Sequence, residues 1–175
     1  MKEPGMNTNR LSPLTVEHLN GNDFAAFGTA VLEPQHSPTS SGAGFQCWFG
    51  VGTLKGEGFR LGQVIARKPP GGIVEMERHD HAEMLLPVTG ALVQVVAPRG
   101  DFNNLDEHPP AFAARAFLIR PGQAVLIEAG TWHAAAVPVE ESTLYYFAAV
   151  PDEPDTAGGR WMPFDKQVCF ELDFG

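Results

Sequence analysis

His79-Asp80-His81-Ala82-Glu83 puts two imidazoles and a carboxylate within one short run of chain. In an extended strand alternate side chains share a face, so His79, His81 and Glu83 would all project to the same side. Six residues separate Glu83 from Gly90, and a second cluster follows much later as Gly122…Gly130-Thr131-Trp132-His133. His133 would then add a fourth donor from another strand. First-row transition metals accept such a mixture of imidazole and carboxylate.

The rest of the chain reads as the frame for these clusters. It has 175 residues with 19 glycines and 15 prolines, which fall between short apolar runs. Turn signals recur every eight to twelve residues and helical periodicity is scarce, the texture of an all-β sandwich or barrel. Strands are expected at 45–51, 60–67, 73–78, 84–88, 91–97, 116–119, 124–128, 143–150 and 167–172. A short helix is expected where Asn22 caps Asp23–Phe27 and Gly28 stops it in a left-handed conformation. Thr15 to Leu19 would add another helical turn, and 35–44, rich in Ser, Pro and Gly, reads as a loop.

Charge and cysteine content narrow the partners. The formal net charge is -9, which argues against nucleic acid and anionic membrane surfaces. No apolar run approaches a membrane span, and Met1–Asn7 lacks the apolar core of a signal peptide. Cys47 and Cys169 are expected to be free buried thiols in a reducing cytoplasm. His133 beside Trp132 would, taken alone, be read as a hydrogen-bonded core histidine. The spacing to Gly122 and Gly130 is what moves it toward a ligand or active-site role.

The two clusters together resemble the paired motifs of the cupins, double-sheet jelly-roll barrels. The first cupin motif runs His-x-His, then Glu, six residues and Gly. The second runs Gly, five residues, usually Pro, one residue, Gly, two residues and His, with Glu128 here in the place of the proline. One spacing departs from the pattern, since a single residue lies between His81 and Glu83 where cupins have three or four. Two ligand sets therefore compete: His79, His81, Glu83 and His133, or Glu77, His79, Glu83 and His133. The first is preferred because imidazole is the commoner ligand. The resemblance implies one cupin domain over 1–175, with a helix and strand at 10–34, the barrel at 45–150 and an extension at 151–175. It also implies a divalent transition metal, of the Zn, Ni, Mn or Fe class.

Within the cupins the chain resembles the ureidoglycolate lyase family. The likeness is carried by Met76-Glu77-Arg78-His79, by Val95-Val96-Ala97-Pro98-Arg99-Gly100-Asp101, by Arg115-Ala116-Phe117-Leu118, by Gly122-Gln123 and by Trp132-His133. Departures fall at Ile127-Glu128, where the family commonly has Tyr-His, at Glu83, often Gln, and at His79-Asp80-His81, where the family has His-Pro. The family implies cleavage of ureidoglycolate to glyoxylate and urea in allantoin breakdown, with Arg78, His79 and His133 lining the barrel mouth. In that reaction Glu128 would be the general base, and Arg78 or Arg67 would grip the substrate carboxylate. A small hydroxy-acid substrate and a homodimer paired through Val168–Phe174 complete the expectation. The competing classes are another metal cupin, such as a sugar-acid isomerase or an iron(II) oxygenase, and a non-catalytic module binding a small anion.

Overall fold

The structure, a computed structural model, describes residues 10–55, 57–101, 103–150 and 161–175. In chain order the elements are β1 (Arg10–His18), α1 (Gly21–Phe24), β2 (Gly28–Val31), β3 (Ser40–Gly42), β4 (Phe45–Cys47), β5 (Arg60–Arg67), β6 (Glu75–Met76), β7 (Glu83–Pro87) and β8 (Leu92–Ala97). After a 3-10 turn at Ala111–Ala113 come β9 (Arg115–Ile119), β10 (Ala124–Ile127), β11 (Trp132–His133), β12 (Val137–Pro138), β13 (Ser142–Ala149), β14 (Met162–Pro163) and β15 (Val168–Asp173). Eleven of these strands form the two opposed sheets of a jelly roll, while β3–β4 and β6–β14 make separate two-stranded pairs. One sheet runs β11-β8-β9-β1-β15 with β12 also on β8, and the other runs β2-β10-β7-β13-β5.

Between the sheets, Leu85, Val125 and Ile127 meet Val96, Phe117 and Ile119, and Leu19, Phe24 and Phe27 join the same cluster. Behind the first sheet lies a second core of Val93, Val95, Ala97 and Ala116 against Ile73, Met76, Met162, Phe164 and Phe170. The first sheet is therefore covered on both faces. That is why all six residues of Leu92–Ala97 are buried and the run lacks the apolar–polar alternation of a half-exposed strand.

The amino-terminal expectations need correcting. Thr15–Leu19 is not a helical turn: Thr15 to His18 belong to β1, which runs parallel to β15 on one side and to β9 on the other. α1 is capped by Asn20, whose side chain accepts from the Asp23 amide at 2.9 Å, and not by Asn22. Gly28 lies in β2 without a positive φ. Its role is steric, because a Cβ there would sit 1.8 Å from the Leu126 carbonyl oxygen across the β2–β10 ladder. Part of the expected 35–44 loop is a hairpin arm, Ser40–Gly42 on Phe45–Cys47. β15 is already paired in its own chain, through β1 and through the Ile73–Phe170 bridge. Both cysteines are free, but half-buried and not buried. The expected Met1–Asn7 segment and the first ten residues of the 151–175 extension, 151–160, lie outside the described residues. Among those residues no helix is long and apolar enough to cross a membrane.

Gly28→Ala should force the β2–β10 edge apart, at a cost of about 2 kcal/mol or more. Urea unfolding would register it as a lower midpoint, and an unchanged midpoint would show that this edge yields freely.

Candidate metal centre

The two sequence clusters are joined by backbone before any side chain meets. Glu77 donates its amide to the His133 carbonyl and His133 returns the bond to the Glu77 carbonyl, each at 2.9 Å. This antiparallel bridge sets the end of β6 against β11. Next to it the Gly130 amide donates to the His79 carbonyl at 2.7 Å. Gly130 does so at a φ of 83°, a conformation that suits glycine. On the other side, Glu83 at the start of β7 stands opposite Ile127 of β10.

Four side chains converge on this frame. Glu77, His79 and His133 offer donor atoms that all lie within 4.8 Å of one another. Glu83 closes the group, with its Oε2 3.4 Å from His133 Nε2 and 3.9 Å from His79 Nε2. Glu77 Oε1 is 3.8 Å from His79 Nε2 and 4.0 Å from His133 Nε2. Burial pushes the Glu83 carboxyl up, but its contact with His133 and the charges of His133, His79 and His81 outweigh it and hold the group below its ordinary value. The carboxylate is kept ionised in a largely dry place.

The donor set fits a divalent transition metal. His133 Nδ1 lies 2.9 Å from the Thr131 carbonyl, so in the neutral ring this nitrogen carries the proton and Nε2 presents its lone pair. That Nε2 is buried and has no hydrogen bond of good geometry. Donors bonded at 2.0–2.2 Å in a tetrahedral arrangement lie roughly 3.3–3.5 Å apart. The separations here are at or slightly above that, and Glu77, His79, Glu83 and His133 are the residues that would hold the ion.

The other expected site residues stand elsewhere. The chain bends at Asp80–His81, so the strict alternation assumed for 79, 81 and 83 does not run through. His81 stacks on the His79 ring at 4.9 Å and 22°, and its Nδ1 lies 3.1 Å from Asp80 Oδ1. Among the described residues it makes no ion pair with Glu77 or Glu83, though it lines the same cavity. Arg78 was expected at the mouth. Its neighbours Glu77 and His79 both face the centre, so by alternation Arg78 faces away. Its side chain is 8 % exposed, pairs with Glu107, and donates to the carbonyls of Asp101 at 2.9 Å and Asn104 at 2.8 Å. Its guanidinium also lies 4.4 Å from the centre of the Trp132 ring. Arg78 is thus a latch for the 101–107 loop. Glu128, expected as the base, has a side chain 40 % exposed, pairs with Arg99, and lines a neighbouring cavity of about 680 Å³ with Lys55 and Asp80.

Sequence reasoning missed the opposite wall. The centre opens into a cavity of about 400 Å³ lined by Arg60, Gly62, Glu77, His79, His81, Glu83, Phe147 and Ala149 among others. Tyr145 lies on the same face of β13 as Phe147 and packs into the barrel interior. Burial, with the charges of Glu83 and Glu77, pushes its phenol up to about 12, so it keeps its proton. The signal available was the alternation 145, 147, 149 along β13 and 60, 62, 64 along β5.

A family model described as ureidoglycolate lyase matches residues 58–166. Comparison with curated proteins finds no match. Among solved structures the chain is similar to RmlC from Streptococcus suis in complex with dTDP-D-xylose, at 11% identity and a TM-score of 0.38. That likeness covers 55% of this chain and 46% of the other, so the chain spans less than half the length of that structure.

After loading with zinc, nickel, manganese or iron and desalting, His133→Ala and Glu77→Gln should lose most of the bound ion, while His81→Ala should keep it. Elemental analysis decides this. Loss in His81→Ala with retention in Glu77→Gln would favour the set with three imidazoles. Arg78→Ala should lower stability by about 2 kcal/mol or more, since it strands Glu107 and two carbonyls. Denaturant titration would show this with metal content unchanged. An undiminished midpoint would instead free Arg78 for the substrate.

Proposed function

The chain belongs to the ureidoglycolate lyase family, and from this we propose that it cleaves ureidoglycolate to glyoxylate and urea. The observation that carries the reading is that the matched segment, 58–166, contains all four converging residues and both walls of the cavity above them. The substrate carbon bears a hydroxyl and the ureido nitrogen. Cleavage breaks the carbon–nitrogen bond, removes the hydroxyl proton as the carbonyl forms, and returns a proton to the departing urea nitrogen. Nothing is oxidised or reduced.

A divalent ion held by Glu77, His79, Glu83 and His133 would polarise the substrate's oxygens. The protein's own groups divide the remaining tasks. Glu83 and Glu77 provide the fixed negative charge that keeps such a cation in place. His81, in the cavity wall but outside the four, would take the hydroxyl proton and pass it to nitrogen, since an imidazole can both accept and donate a proton. Phe147 and Ala149 make one side of the cavity apolar, which excludes water and strengthens polar contacts within it. A homodimer in the cytoplasm belongs to the same proposal. The outer face of β5, with Leu61 69% and Ile65 60% exposed, offers it an apolar surface.

Metal-loaded protein given ureidoglycolate should release glyoxylate and urea in equal amounts. His81→Ala should lower kcat by about a hundredfold or more while retaining metal. Absence of glyoxylate with all four metals would defeat the reading, and dioxygen uptake by the iron-loaded protein would assign the same donors to an oxygenase.

A further inference from the structure

The lining of the 400 Å³ cavity includes a single permanent cation, Arg60. It opens β5, opposite Ala149 of β13, and shares its parity with Gly62, Val64 and Ala66, the half-buried inward face of that strand. Arg67, at the other end of β5, has the opposite parity and lies with the exposed Leu61, Gln63 and Ile65. Of the arginines considered from the sequence, then, Arg78 is committed to a loop and Arg67 faces outward. The cation in the cavity is a third one.

Charge bookkeeping in the cavity makes Arg60 decisive. Glu77 and Glu83 are the carboxylates of the lining. A divalent ion on them cancels their charge and leaves one positive charge, the Arg60 guanidinium, facing the space above. None of the ion pairs among the described residues uses it. Beside Arg60, the Phe147 ring lies over Gly62 so closely that a Cβ at Gly62 would be 2.1 Å from Cε1. Arg60 is itself exposed, so its guanidinium is open to an anion arriving from solvent, beside a wall that Phe147 makes apolar.

We propose that Arg60 binds the substrate's carboxylate and makes the site selective for small monoanionic hydroxy acids over their neutral analogues. A guanidinium matches a carboxylate with two parallel hydrogen bonds. One end of the ligand would meet Arg60, and its hydroxyl would lie toward Glu77, His79 and Glu83. The proposal deepens the lyase reading, on which it rests for the substrate's identity only. Selection for a single negative charge follows from the lining of the cavity once a divalent ion offsets Glu77 and Glu83.

The test is calorimetric titration of the metal-loaded protein with glycolate and with glycolamide, its neutral isostere. Wild type should prefer glycolate by about tenfold or more. Arg60→Ala should bring the two to near parity with metal content unchanged, Arg60→Lys should keep part of the preference, and Arg67→Ala should keep all of it. With ureidoglycolate, Arg60→Ala should raise KM by about tenfold with a smaller change in kcat. Three results would overturn the proposal: no preference in wild type, a preference that survives Arg60→Ala, or loss of metal in that variant. The lyase reading is judged separately. Glyoxylate release with an Arg60-independent preference would leave it standing, whereas an Arg60-dependent preference without glyoxylate release would remove it and leave the anion site.

Discussion

The candidate site depends on one reciprocal pair of backbone hydrogen bonds, between Glu77 and His133. These residues are far apart in sequence, and each supplies a donor to the centre. The bridge fixes their separation through the peptide groups, so no long side chain has to search for its partner. The Gly130 amide on the His79 carbonyl does the same for the third residue. Preorganisation of this kind carries its entropy cost in folding and not at the moment an ion binds.

Support for the bridge comes from a sheet covered twice. β8 holds β11 through Trp132–Ala97 and His133–Val96 pairing, and β8 is buried on both faces. On the barrel side Val96 packs with Val125 and Ile127, while on the other side Val95 and Ala97 pack with Ile73 and Met162. Arg78 ties the arrangement to the surface. It lies between two residues of the centre, yet its own bonds go to the 101–107 loop and to the Trp132 ring. Loop, tryptophan and the residues of the candidate centre are thereby held as one unit.

Much of this architecture was legible from local pattern. β5 occupies the expected 60–67, and β7, β8 and β10 lie within a residue or so of their expected bounds, because apolar runs between turn signals report strands directly. His79, Glu83 and His133 appear in both candidate ligand sets, and the structure brings them together with Glu77. What could not be read locally depends on distant partners or on a change of direction. β1 is a strand because β9 and β15 flank it, and nothing within Arg10–His18 announces either. The bend at Asp80–His81 breaks the strict alternation, so His81 lines the same cavity without joining the ion-paired group. The family resemblance implies Arg78 at the mouth and Glu128 as the base, whereas ion pairing with Glu107 and with Arg99 engages them elsewhere. Arg60 sits at the start of a strand with no motif around it, so only the folded wall reveals it.

The parallel pairing of β1 with β15 bears on how the chain is made. Arg10 is matched with Val168 and Thr15 with Asp173, so on the ribosome β1 emerges long before its outer neighbour. Its first stable hold is the short register with β9, Val16 to His18 against Ala116 to Leu118, and even that must wait for half the chain. Until then the free edge of β1 is a template for any passing strand. Pro13, which has no amide to donate, interrupts that edge near its middle. The proline therefore does its protective work during synthesis, before a finished barrel exists to shelter the strand.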